Sequence, residues 1–200
     1  MLQLYDNVAS GNAYKVRLML AHLDLSYERI PVSVTDRSNR QDLFAGKNPA
    51  LRIPVLRLED GRFLGESNAI VWYLAEGTPY LPDDRYERGQ VLQWMFFEQY
   101  DHEPNVAVAR FLLHYSGEPE KHAEFIAQKQ RLGHKALRAM DQRLVESEFL
   151  ASADYTVADV ALYAYTHVAE QAGISLHEHP NVVSWLGRVA AQPGHVTIDA

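Results

Sequence analysis

Cysteine is missing from this chain altogether. Its absence excludes disulfides, thiolate metal sites and any cysteine nucleophile. A basic surplus is missing too: 19 Lys and Arg stand against 26 Asp and Glu, for a formal net charge of −7. With no basic stripe to neutralise phosphates, a nucleic-acid partner is not expected. No apolar run approaches the ~20 residues of a membrane span, so no membrane partner is expected either. The opening Met1-Leu-Gln-Leu-Tyr-Asp lacks the basic start and apolar core of a signal peptide and reads as a strand, which makes a cytoplasmic enzyme the expectation. Repeats and low-complexity tracts are also lacking. What is there, 47% hydrophobic and 22% charged over 200 residues, suffices for one large or two small domains.

The most informative stretch runs from Arg52 to Ala69. Val55, Leu56 and Leu58 are strand formers, Asp60-Gly61 is a hairpin turn signal, and Phe63-Leu64 begins a return strand. Ser67 then stands where an N-cap belongs, ahead of the helical spacing Ile70, Val71 and Leu74. Pro54 cannot donate to a strand ladder. If the Ile53-Pro54 bond is cis, the N–H and C=O of Ile53 face outward and can pair with a peptide-like ligand. Glu66 and Ser67 can grip an α-amino group and an α-carboxylate, the latter favoured by a helix N-terminus. The alternative is a plain hairpin-to-helix connection with an ordinary cap.

In chain order the pattern predicts a strand at Leu2–Tyr5 and a polar loop over Asp6–Gly11. A helix through Val16, Leu20 and Leu23 follows, then a strand over Tyr27–Val34. Asp36–Lys47 is polar and irregular or briefly helical. The hairpin and a helix over Ala69–Glu76, which Gly77 can end, complete the order βαβαββα. Residues 1–77 therefore form an α/β domain, and Thr78-Pro-Tyr-Leu-Pro opens a linker over 78–85. Residues 86–200 form an all-α domain with no strand. Its helices are Tyr86–Tyr115, kinked or split at Pro104, then Glu120–Glu146, a segment from Thr156 to Gly173, and one from Pro180 to Pro193. Thr156 and Asp159 read as a capping box.

The order and spacing of several short motifs resemble the cytosolic glutathione transferases over essentially the whole chain. These are Asn48-Pro49, Ile53-Pro54-Val55-Leu56, Glu66-Ser67-Asn68-Ala69-Ile70, Tyr155-Thr156-Val157-Ala158-Asp159 and Pro180-Asn181…Trp185-Leu186…Pro193-Gly194. The resemblance implies a thioredoxin-like N-terminal domain, an all-α C-terminal domain, a homodimer, and glutathione as co-substrate with no metal. It also implies that the Ile53 backbone, beside Pro54, pairs with the cysteinyl part of glutathione. Glu66 and Ser67 would hold the γ-glutamyl end, and Arg52, or less directly Arg40 and Gln41, the glycyl carboxylate. An apolar cleft would take an electrophilic small molecule.

Such chemistry needs glutathione as its thiolate, because a thiol with a pKa of about 8.5 is a poor nucleophile at neutral pH. Lowering that value by two units takes roughly 2.7 kcal/mol, which one charge-directed hydrogen bond of ~1.5–3 kcal/mol nearly supplies. Ser10, between first strand and first helix, occupies the place of the activating hydroxyl in serine-type (theta and zeta) members. Its other reading is a helix cap. Tyr5 is the rival, by resemblance to tyrosine-type classes. Asn12 makes Ser10-x-Asn12-x-x-Lys15 resemble the bacterial nu class, which implies a second donor and disulfide-reductase chemistry as an alternative. A peroxidase or a non-catalytic glutathione-binding module is a further alternative.

Trp94, Phe96, Phe97 and Tyr100 lie on one long helix and suit core and dimer contacts more than a cleft. Tyr100, Asn105 and Arg110 are candidates to face the cleft, and Asp101 to reach a partner's glutathione. His177-Glu178-His179 offers two imidazoles but no third metal ligand.

Overall fold

Leu2–Asp6 forms β1 and pairs in parallel with β2 (Tyr27–Pro31), while its other edge pairs antiparallel with β3 (Val55–Arg57). β3 in turn pairs antiparallel with β4 (Phe63–Gly65), giving a mixed sheet of order β2-β1-β3-β4. The parallel pair is joined by α1 (Gly11–His22), as a parallel crossover requires. The antiparallel pair is joined by the turn at Asp60-Gly61, where Gly61 takes φ +88°. α2 (Arg40–Phe44) and α3 (Ser67–Ala75) complete the expected βαβαββα order. The computed structural model describes all 200 residues.

Alternation along β1 explains the layering. Leu4 is fully buried on one face. Tyr5, on the other, joins an apolar cluster of Val32, Phe44, Val55, Leu43, Leu51, Ile53 and Phe63. α1 packs against α3. Every α1 residue from Ala13 to Leu20 is buried, two cations among them.

The chain divides into two units, Met1–Gly77 together with Pro193–Ala200, and Thr78–Gln192. The expectation that 86–200 is one helical domain is corrected at its end. Residues 193–200 lie with the sheet, anchored by side chains of α1 and β2. The second unit contains α4 (Arg85–Phe97), one π-helical turn (Glu98–His102), α5 (Glu103–His114), α6 (Ala123–Arg143), α7 (Val157–Thr166) and α8 (Pro180–Ala190). Pro104 sits in the first turn of α5, directly after the π turn, so the expected kink or split takes the form of a π turn within a continuous helical run.

Asp159 is the hub of this unit. It closes the capping box through Thr156 N at 3.0 Å, and it also accepts from Leu150 N at 3.0 Å and Trp185 Nε1 at 2.9 Å. Burial pushes its carboxyl upward while these donors pull it down. No helix of the chain is long and apolar enough to cross a membrane.

Candidate active site

Strand register collects the candidate residues. Val55 pairs with Tyr5 on one side and with Gly65 on the other. The loop after β1, the Ile53-Pro54 pair before β3 and the Glu66-Ser67 pair after β4 therefore emerge at one end of the sheet. Two helices, α1 and α3, begin there, and their N-termini favour an anionic ligand.

Ser10 is the N-cap of α1, with φ −82° and ψ 113°, and its Oγ accepts from Ala13 N at 3.2 Å. Accepting that bond leaves the hydroxyl proton to donate elsewhere, so capping and thiolate stabilisation are compatible in one side chain. Asn12, two residues on, uses its Oδ1 to accept from Ser67 Oγ at 3.1 Å.

Ser67 is buried, and its role as a cap is corrected. Glu66 occupies the N-cap position and Ser67 is the first helical residue. The hydroxyl is drawn sideways to α1, where the fully buried Lys15 donates to it at 3.3 Å and to Asn68 Oδ1 at 3.1 Å. Glu66 is exposed and makes no side-chain cap bond. It holds φ at +65°, a conformation that costs a non-glycine residue of order 1–3 kcal/mol and tends to persist at functional sites.

The Ile53-Pro54 bond is cis, and neither backbone polar group of Ile53 is hydrogen-bonded within the protein. The approach to it is braced by Asn48, whose Nδ2 donates to Arg52 O at 2.9 Å and whose Oδ1 accepts from Ala50 N at 3.1 Å. Gly65 packs closely on this brace: a Cβ there would lie 3.3 Å from the Asn48 amide, which would have to shift by a few tenths of an ångström. The Arg52 side chain is exposed at the rim.

Other candidates are placed differently. The Tyr5 ring packs edge-on against Phe44 at 5.6 Å and tilted against Phe63 at 6.3 Å. Arg40 is buried and donates to the Ser33 and Leu51 carbonyls at 2.6 and 3.4 Å, while Gln41 is exposed. Burial lowers the Arg40 guanidinium, whose work here is to tie down the loop before Ile53. Asn105 donates to Asp101 O at 2.6 Å, and Arg110 to Gln171 at 2.7 Å, so the helical unit uses both internally. Tyr100 and Asp101 are exposed. Trp94 is buried and meets Phe97 edge-on at 5.1 Å, whereas Phe96 is exposed. His177 and His179 diverge: the first is exposed, and the second is buried with its ring 5.8 Å from that of His134.

Sequence reasoning passed over Lys15 and Asn48 as supports of these residues. The available signal was a cation, Lys15, in the stretch Ala13–Leu20 that is otherwise apolar but for Arg17, a position that demands buried partners.

Two family models match the chain: the glutathione S-transferase N-terminal domain over residues 9–76 and the glutathione S-transferase C-terminal domain over residues 103–193. A solved glutathione S-transferase from Pseudomonas fluorescens is 45% identical, with 98% of each chain covered and a TM-score of 0.95. Glutathione S-transferase 3 of Zea mays is 30% identical over 96% of this chain and 90% of its own length. The disulfide-bond oxidoreductase YfcG of Escherichia coli is 27% identical over 96% of this chain and 92% of its own.

Proposed function

The chain belongs to the glutathione S-transferase family, and on that premise we propose that it binds glutathione, stabilises its thiolate and transfers it to an electrophilic small molecule. One observation carries the reading: one end of the sheet gathers Ser10, Asn12, the unpaired Ile53 backbone beside cis-Pro54, and the Glu66-Ser67 pair. In this reading Ile53 pairs with the cysteinyl backbone, and Glu66 and Ser67 hold the γ-glutamyl ammonium and carboxylate. Arg52 reaches the glycyl carboxylate from the rim.

Ser10 donates its hydroxyl hydrogen bond to the sulfur, and Asn12 adds its amide N–H. The thiol proton passes to solvent. The sulfur lone pair then forms a C–S bond, and the leaving group departs with its bonding pair, or in an addition the displaced pair takes a proton. Tyr5 is the weaker donor because its ring belongs to the Phe44–Phe63 cluster.

Asn12 also favours a second reading, supported by the likeness to the oxidoreductase YfcG. Here one glutathione thiolate attacks a disulfide, releasing a thiolate and forming a mixed disulfide. A second glutathione resolves it, so two glutathiones become one glutathione disulfide and the substrate gains two electrons.

The protein acts in the cytoplasm as a homodimer. Leu92, Phe96 and Tyr100, spaced four apart and 39%, 70% and 84% exposed, form an apolar stripe suited to a second copy.

The test is a titration of the bound glutathione thiolate by ultraviolet absorbance, in the wild type and in Ser10→Ala, Asn12→Ala and Tyr5→Phe. A bound-thiol pKa below the free value that returns toward it in Ser10→Ala supports the transferase reading. Loss with Asn12→Ala as well, together with turnover of a glutathione-reducible disulfide, moves the assignment to the second reading. Loss only with Tyr5→Phe overturns Ser10.

A further inference from the structure

We infer that Arg17 is a positioning residue for the Ser10 loop, and that segment 193–200 is built into the thiol site through that one guanidinium. The inference rests on the reading that Ser10 serves the glutathione sulfur.

Arg17 lies on α1, two turns past Ser10, and is 2% exposed. Its Nη1 meets Asp6 Oδ1 at 3.0 Å and Oδ2 at 2.9 Å, and Asn7 O at 3.4 Å. Its Nη2 donates to Val8 O at 3.2 Å and to Ile198 O at 2.6 Å. One planar group thus grips the end of β1, two carbonyls of the following loop and one carbonyl of the C-terminal segment. Lysine, with a single nitrogen, cannot reproduce that fork.

The grip leads directly to Ser10. Its N–H donates at 3.0 Å to Asn7 O, the carbonyl that Arg17 also engages. The Asn7 side chain ties the loop from the other side, donating to Val32 O at 2.8 Å and accepting from Ala9 N at 3.0 Å. The path from Arg17 to Ser10 is therefore one carbonyl long. A hydroxyl aimed at a sulfur must be placed within fractions of an ångström, so a loosened Asn7–Val8 turn weakens thiolate stabilisation while leaving the α3 end untouched.

The C-terminal segment is seated independently of Arg17. Tyr14, fully buried, donates to Val196 O at 2.7 Å, and its hydroxyl lies 3.4 Å from His195 Nε2. His22 Nδ1 bonds Pro193 O at 2.8 Å. Gly194, at φ +73°, passes so near α1 that a Cβ would stand 2.9 Å from Ala21 O. Arg29 links the two ends of the network, pairing with Asp6 Oδ2 at 2.7 Å and donating to Ala200 O at 3.0 Å.

Two full-length variants test this. Arg17→Lys keeps a cation for Asp6 but gives up the fork. Tyr14→Phe removes only the hydroxyl that seats Val196. Hydrogen exchange of the ligand-free protein is expected to quicken about tenfold at residues 194–199, and together with them at Ala9 and Ser10, with Val71 on α3 unchanged. In Arg17→Lys the pKa of bound glutathione thiol should rise by about one pH unit, while glutathione affinity measured below that pKa, where the thiol form binds, stays within about twofold of wild type.

If 194–199 loosen and residues 9 and 10 do not, segment and loop are uncoupled and the inference fails. If the loop loosens in either variant but the bound-thiol pKa holds at the wild-type value well below the melting temperature, Arg17 is structural only. If wild-type protein binds glutathione without lowering its thiol pKa, the functional reading falls, and the exchange coupling alone decides the link from segment to loop. Should Arg17→Lys fail to fold, Tyr14→Phe decides both points.

Discussion

The hydroxyl of Ser67, at the start of α3, donates to the side-chain oxygen of Asn12, on α1, across 3.1 Å. The γ-glutamyl end and the sulfur end of the proposed ligand are therefore held by side chains that touch one another. Ser67→Ala should weaken glutathione binding by about 1–2 kcal/mol, roughly five- to thirtyfold, and release the Asn12 amide. Calorimetry measures the first effect, and the bound-thiol absorbance in the same variant measures the second. Unchanged affinity would detach Ser67 from the ligand.

Ser10 caps α1, and substitution can separate that duty from the proposed one at the sulfur. Glycine retains most of an N-cap's value, whereas alanine forfeits about 1 kcal/mol. Ser10→Gly should thus hold its melting temperature near wild type, and Ser10→Ala should lower it by a few degrees. Both should lose about 10²-fold or more in kcat/KM and lift the bound-thiol pKa toward about 8.5. Activity that tracks the melting temperature across the pair would mean the hydroxyl only caps.

Asp159 offers a stability test away from the chemistry. Its carboxylate answers Thr156, Leu150 and Trp185 in a buried setting. Asp159→Ala leaves those donors without an acceptor and should cost roughly 3–5 kcal/mol in urea unfolding. Trp185→Phe, which removes one donor and keeps the packing, should cost about 1–2 kcal/mol. Equal losses would argue against a shared hub.

Stability should rise with pH through the histidine range. Burial lowers His179, opposed by Asp141 and Glu178 and reinforced by His134 and Arg138. Burial also lowers His195, and it lowers His22 against the pull of the Pro193 carbonyl. A histidine lowered in the folded state binds fewer protons there than in the unfolded chain. Its contribution is complete above the unfolded value of about 6.5 and is lost as pH falls toward the folded value. Urea midpoints from pH 8 down to pH 5 should fall, and His179→Phe should flatten that slope. A flat wild-type profile would remove histidine linkage from the account.

Phe96→Glu places a charge in the exposed stripe of α4. If two copies meet there, sedimentation should show a monomer for the variant at concentrations where the wild type is a dimer. Secondary structure by circular dichroism should be unchanged.

Much of this was legible in the chain. Apolar periodicity and turn chemistry mark all four strands, and Gly77, Pro104, Thr156 and Pro180 punctuate the helices near their observed ends. The backbone of the stretch from Arg52 to Ala69 was readable because hairpin, proline and helix start are local features. What was not legible depends on contacts distant in sequence. Nothing near Ser67 signals that Asn12, fifty-five residues earlier, accepts its hydrogen bond. Arg40 looks like a free cation until the Ser33 and Leu51 carbonyls are seen around it. Arg17 reads as an ordinary polar residue of a helix, yet one of its acceptors lies 181 residues away.

That last separation matters while the protein is being made. The ribosome releases β1, α1 and the rest of the sheet long before Ile198 exists, so Asp6 and Arg17 must find each other first. Drawing the final residues back to α1 closes a loop that contains the whole helical unit. Such closure becomes cheap only once that unit has collapsed and shortened the span between its ends. A nascent chain stalled before Pro193 would thus carry a sheet domain whose buried arginine holds Asp6 and two loop carbonyls but not yet the carbonyl of Ile198.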